Sequence, residues 1–201
     1  CQGARSAPET REAAPEPPSY PGHSLMQDSF LLCKFNNFGD APALAEIYVE
    51  AVLDGFSGLA FAKVYSAKNA LTAADLITTR VAPFFSRHGV PIERVITPKT
   101  HQYCGIVPTH PYEMFLAASR VNHGQVDEFD EKSHSLMTRF LALLRREFLS
   151  PELRRRYRHT LELLQQDLDR FVDTYNSEHP SLAPGMHGQP ALQAFVGASR
   201  A

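Results

Sequence analysis

The sequence predicts an α/β domain, a mixed five-stranded sheet flanked by helices with a long C-terminal helix. Three observations carry this. Three apolar, partly alternating segments come first, helical and strand-like segments then alternate, and the last third repeats apolar residues every three or four positions. With 201 residues, 43% of them hydrophobic, the chain can bury one sizeable core.

Residues 1–20, rich in Pro, Ala, Glu and Ser, have little to bury and read as a disordered leader or linker. A core domain over 21–149 follows, then a C-terminal helix and tail over 150–201 packed on it. Leu25 to Cys33, Ala45 to Leu53 and Leu59 to Tyr65 read as strands. Turns at Asn36 to Pro42 and at Gly55 and Gly58 make them an antiparallel meander. From Thr72 to His88, Leu76, Ile77, Val81, Phe84 and Phe85 recur at helical spacing, with Thr72 as N-cap and Gly89 as the stop. Arg94 to Thr97 forms a short strand, Pro111 to Ser119 a helix and Val121 to Val126 the last strand.

Ser150-Pro151-Glu152 is a strong helix start: Ser caps, Pro tolerates the first helical position, and an acid favours the positive end. Leu153, Tyr157, Leu161, Leu164, Leu168, Phe171 and Tyr175 then form a stripe. It lacks sustained heptads with ordered flanking charges, so it is expected on the core rather than in a coiled coil. Leu192 to Val196 closes the tail as an apolar turn.

A net charge of −2 and a pI near 6.5 do not advertise nucleic-acid binding, so local patches must carry that case. Cys1, Cys33 and Cys104 are odd in number and widely spaced, which indicates neither a disulfide framework nor a zinc site and fits a reducing cytoplasm. No apolar run approaches the ~18 residues of a membrane helix. The first residue is Cys rather than Met, so a fragment or a processed product is expected.

Particular runs add a resemblance. They are Pro21-Gly22, Met26-Gln27-Asp28-Ser29-Phe30, Tyr48 to Ser57, Ala60 to Tyr65, Phe84 to Pro91, Val95-Ile96-Thr97, Tyr175-Asn176 and Pro190. In order and spacing they resemble the retroviral-type integrase core of bacterial insertion-sequence transposases. That resemblance implies a ribonuclease-H-like fold in which three carboxylates, Asp, Asp and Glu, hold two divalent cations. Asp28 matches the first. Where the second belongs the chain reads Thr97-Pro98-Lys99-Thr100, and where the third belongs it reads Thr138-Arg139-Phe140. Pro98 and Thr138 therefore occupy ligand positions without a carboxylate.

Two-metal phosphoryl transfer clamps the attacking and leaving oxygens between cations roughly 3.5–4 Å apart, which demands anionic ligands. Magnesium also wants oxygen donors in near-octahedral geometry. Asp28 alone would hold a cation weakly. Glu147, nine residues beyond Thr138, falls on the opposite helix face, and Glu131 returns to the same face only about 10.5 Å away. Glu93 and His101 flank the Pro98 segment without replacing its ligand.

Arg145, Arg146, Arg154, Arg155, Arg156, Arg158 and His159 make the best basic patch. It reads equally as a phosphate-contacting surface with salt-dependent binding and as a solvated helix face balanced by Glu147, Glu152 and Glu162. Asp54, which opens Asp-Gly-Phe-Ser, is expected to stabilise its turn. No nucleophile elbow or glycine-rich phosphate loop is present in the sequence.

The reading that results is a degenerate integrase core that has lost strand cleavage and strand transfer but retains DNA binding or a partner role. No cofactor is expected. The partners expected are DNA, a second copy or a related transposase, with no membrane. Two alternatives stay open: an active transposase using magnesium or manganese in a site completed differently, and a protein-interaction module without nucleic acid.

Overall fold

The computed structural model describes residues 17–36, 44–105, 109–126, 135–148 and 161–199. Five strands form one sheet: β1 (Leu25–Asn36), β2 (Leu44–Asp54), β3 (Ala60–Tyr65), β4 (Arg94–Pro98) and β5 (Asn122–Val126), in the order β3-β2-β1-β4-β5. The first three are an antiparallel meander, and β4 and β5 add in parallel, so the sheet is mixed as expected. The helices are α1 (Ala70–Leu76), α2 (Ala82–Arg87), α3 (Pro111–Ala118), α4 (Ser135–Glu147), α5 (Leu161–Glu178) and α6 (Ala191–Ser199).

The helices divide between the two faces, because both faces of the central strands are apolar. On one, Phe30, Val49, Ala51, Ala62 and Val64 meet Phe140 and Leu144 of α4 and Leu164, Leu168 and Tyr175 of α5. On the other, Leu25, Val52 and Val95 meet Leu76, Phe85, Tyr112, Leu116 and Phe195. The α5 stripe thus packs on the core, with Leu164, Leu168 and Tyr175 fully buried, Val172 buried beside them and Leu161 and Phe171 at its margin. Its expected start at Ser150-Pro151-Glu152, with Leu153 and Tyr157, lies outside the described residues, as do the Asn37 to Pro42 part of the first turn and Glu131.

The helix expected over Thr72–His88 begins earlier. Asn69, not Thr72, is its N-cap: the Asn69 side chain accepts from the backbone N–H groups of Leu71 and Thr72, while the Thr72 hydroxyl accepts from the Asn69 N–H. Thr72 contributes as the third residue of this box, which explains why it looked like a cap. Between α1 and α2 the backbone widens into a π turn over Ile77–Val81, where the Ala82 N–H reaches the Ile77 carbonyl. Pro83 lacks an N–H and its ring would crowd the carbonyl four residues back, so the turn just before it opens. The tail expected as a turn at Leu192 to Val196 is the helix α6.

Asp54 has the turn role expected of it. Buried at the end of β2, its carboxylate accepts from the Ser57 N–H at 2.8 Å, the Ser57 hydroxyl at 2.6 Å and the Gly22 N–H at 2.9 Å. One side chain thereby fixes the β2–β3 turn and the segment entering β1. Gly22 is needed there: its φ is +81°, and a Cβ would lie 2.1 Å from the Pro91 carbonyl oxygen. The leader expected over residues 1–20 lies outside the described residues up to residue 16; beyond it, the Tyr20 hydroxyl donates to Glu93.

Candidate functional site

Asp28 is half-buried in the first third of β1, and its Oδ1 accepts the Ser29 N–H at 2.7 Å. Pro98 is buried and ends β4. Strands β1 and β4 run parallel, with Leu25 opposite Val95 and Met26 opposite Ile96, and Asp28 and Pro98 each lie two residues beyond the last of these pairs. Thr138 is exposed in the first turn of α4.

Two contacts orient that helix. Arg139 donates to the Leu182 carbonyl at 2.8 Å, and the neighbouring Ser181 hydroxyl donates to the Ser57 carbonyl, which ties this end of α4 to the end of the sheet where β1 begins. Farther along, the Arg145 guanidinium lies 4.5 Å from the centre of the Phe30 ring. Helix α4 therefore follows β1 in the same direction, with Thr138 about 10.5 Å back from Arg145, toward the level of Asp28.

The chemistry at these positions is sparse. Proline has no side-chain donor and Thr138 offers a neutral hydroxyl. Glu147 is engaged by Arg146 at 2.8 Å, and Glu93 precedes β4, at the far end of that strand from Pro98. His101 is exposed, and its carbonyl oxygen rather than its ring meets His110. Among the described residues, no three His, Cys, Asp or Glu side chains converge as a metal site requires.

Of the basic patch, Arg145 packs its guanidinium on Phe30 and Arg146 pairs with Glu147, on an otherwise exposed side of α4. Arg154, Arg155, Arg156, Arg158 and His159 lie outside the described residues. Cys33 and Cys104 are both half-buried. No described helix is long and apolar enough to cross a membrane.

Directly behind Asp28, on the opposite face of β1, lies a polar cluster that the sequence reading assigned no role. Fully buried Glu50 of β2 accepts at Oε1 from Gln27 Nε2 at 2.7 Å and the Tyr103 hydroxyl at 2.6 Å, and at Oε2 from Gln102 Nε2 at 2.5 Å. Tyr112 donates to Gln27 Oε1, Gln27 donates also to the Ala73 carbonyl, and Ser29 donates to Gln102 Oε1. Burial pushes the Glu50 carboxyl up to about 8, against the pull of its three donors, and the charge of Asp28 pushes it the same way. The signal was present in β2, where Glu50 falls between Val49 and Ala51 in a strand apolar on both faces. A charged residue there needs buried partners.

The segment after β4 is thereby pinned. Gln102 and Tyr103, both buried, hang on Glu50, and the Tyr103 and Cys104 N–H groups close on the Thr100 carbonyl. Thr97 Oγ1 lies 2.8 Å from His123 Nε2 of β5, and burial lowers the pKa of that imidazole. The backbone turn that follows Pro98 is thus held by hydrogen bonds to β1, β2 and β5.

Solved structures similar to this fold include retroviral integrase catalytic cores. The catalytic core domain of BIV integrase matches with a TM-score of 0.59 at 12% identity, over 89% of this chain and 97% of that one. The HTLV-2 integrase catalytic core domain in complex with magnesium, in its dimeric form, matches with a TM-score of 0.56 at 13% identity, over 88% and 97%. A chain of the simian T-cell lymphotropic virus intasome in complex with the PP2A regulatory subunit B56 gamma matches at 0.54 and 13%, over 89% of this chain and 57% of that one. No protein-family model and no curated protein matches the sequence. The ribonuclease-H-like integrase-core fold is thus established, and function must be argued from the residues.

Proposed function

We propose that this chain is a catalytically silent integrase core, related to the insertion-sequence transposases its motifs resemble, that serves DNA transposition or integration by binding DNA or a partner chain. One observation carries the reading. Of the three positions where the resemblance implies metal ligands, Asp28 is the one carboxylate, and Pro98 and Thr138 supply none where a cation pair needs several.

The HTLV-2 core of the same fold was solved with magnesium. The donors present here do not fit such a group: a proline ring, an exposed neutral hydroxyl and a single Asp fall short of the anionic oxygen set that magnesium favours. The DNA-binding part of the proposal rests on the fold and on Arg145 and Arg146 lying on the same helix as Thr138.

The test is incubation of the full chain with supercoiled and end-labelled DNA in magnesium or manganese, alongside a binding titration at several salt concentrations. Binding that weakens with salt, without nicking or joining, is the expected result. Metal-dependent nicking abolished by Asp28→Asn would overturn catalytic silence, and absence of both DNA binding and partner capture would overturn the remaining role.

A further inference from the structure

Strand β3 is an outer strand of the sheet, and such an edge presents unpaired N–H and C=O groups to any passing chain. Its outward-facing groups belong to Ala60, Ala62 and Val64. The Asn176 side chain spans both groups of Ala60: its Oδ1 accepts the N–H and its Nδ2 donates to the carbonyl, each at 2.8 Å. That reproduces the double exchange by which one antiparallel strand residue pairs with another.

Gln165 does the same work farther along, its Oε1 accepting the Val64 N–H at 2.8 Å and its Nε2 lying 3.5 Å from the Ala62 carbonyl. The amide is also oriented from behind, because Nε2 donates to Asp169 at 2.7 Å and Asp169 is paired with Arg80. Gln165 and Asn176 are eleven residues apart, which is about three helical turns, so both leave α5 on one face. Their separation along the helix, about 16.5 Å, approaches the ~13 Å from Ala60 to Val64 along the strand.

We infer that Gln165 and Asn176 form a side-chain guard that occupies the β3 edge and keeps a second copy of this chain from pairing with it strand to strand. A cavity of about 600 Å³ opens beside this edge, lined by Phe61 and Ala62 of β3, Arg80, Phe84 and Asn176. The guard also accounts for Asn176 in the Tyr175-Asn176 run: Tyr175 fills the core against Phe140, and Asn176 satisfies the edge.

Sedimentation velocity and amide hydrogen exchange on the full chain test this. The Gln165→Ala/Asn176→Ala variant should show a mass that rises with concentration above that of the wild type. Its Ala60 and Val64 amides should exchange roughly ten-fold faster when dilute and regain protection when concentrated, as a new strand covers them. Asn176→Asp keeps the acceptor for Ala60 and adds an edge charge, so it should retain the wild-type mass.

A folded double variant that keeps the wild-type mass overturns the inference, as does self-association that leaves Ala60 and Val64 unprotected. If the double variant does not fold, the wild type and Gln165→Ala decide. Fast exchange of the Ala60 and Val64 amides in the wild type, or Val64 protection that survives Gln165→Ala, refutes the guard, and slow exchange lost in that variant supports it.

Discussion

Replacing Glu50 with Gln should stabilise the protein at alkaline pH and leave it nearly unchanged in acid. The folded chain keeps the Glu50 proton up to about pH 8, whereas the unfolded chain releases it near the ordinary value of 4.5. Below about 4.5 both states hold the proton and the group costs nothing. Between the two values the folded state binds more protons than the unfolded state, so stability falls as pH rises, levelling off above about 8. At about 1.4 kcal/mol per pH unit across that window, the penalty is on the order of 4–5 kcal/mol, which Gln avoids. The amide also fits: Gln27 and Tyr103 keep donating to its oxygen, and a flip of the Gln102 amide lets that side chain accept the new N–H while Ser29 turns to accept in its place. The assay is urea unfolding of both proteins from pH 4 to 9, in which titrating groups not coupled to Glu50 cancel in the difference. A difference that grows by several kcal/mol between pH 4.5 and 8 is expected. A flat difference, or one that shrinks with rising pH, refutes a Glu50 held neutral by burial.

Two further outcomes follow from the same contacts. Asp54→Ala strands the buried Gly22 and Ser57 donors and should cost roughly 2–4 kcal/mol in chemical unfolding, since each unpaired buried group costs about 1–3 kcal/mol; a loss under 1 kcal/mol would mean that water replaces the carboxylate. The Pro98→Asp/Thr138→Glu double variant should bind magnesium by isothermal calorimetry where the parent shows no heat, with each single variant weaker; equal, undetectable binding in all of them would show that the three positions do not converge.

The sheet was legible because its order is written in the residues. Three apolar segments separated by turn signals gave the meander, and Arg94 to Thr97 and Val121 to Val126, each reached after a helical segment, gave the two further strands of a mixed sheet. What escaped was decided by tertiary partners. The start of α1 went to Asn69 because Asn69 and Thr72 form one reciprocal box, and propensity alone does not choose between its members. The π turn at Ile77–Val81 follows from Pro83, whose effect on a helix is local and geometric rather than periodic. Glu50 and Gln27 are polar residues inside strands, and their partners Gln102, Tyr103 and Tyr112 lie 52 to 85 residues away along the chain, beyond any pattern of period 2 or 3.6. The motif positions Asp28, Pro98 and Thr138 were legible only by resemblance, since nothing in their local spacing marks them.

Their placement explains how the scaffold tolerates such residues. Asp28 is half-buried and Thr138 is exposed, so neither anchors a core; the helix that carries Thr138 is held by Phe140, Leu141 and Leu144 on its other side. Three carboxylates brought together without a cation repel one another and raise each other's pKa, and a proline and a threonine remove that repulsion. On the proposed reading, Pro98 and Thr138 spare the fold that repulsion. The polar groups beneath it are bound differently. Glu50 and Asp54 are each tied to several donors inside the fold, and truncating either leaves those donors buried and unpaired. Those buried ties hold the interior of a fold whose integrase-core architecture is matched at 12–14% identity.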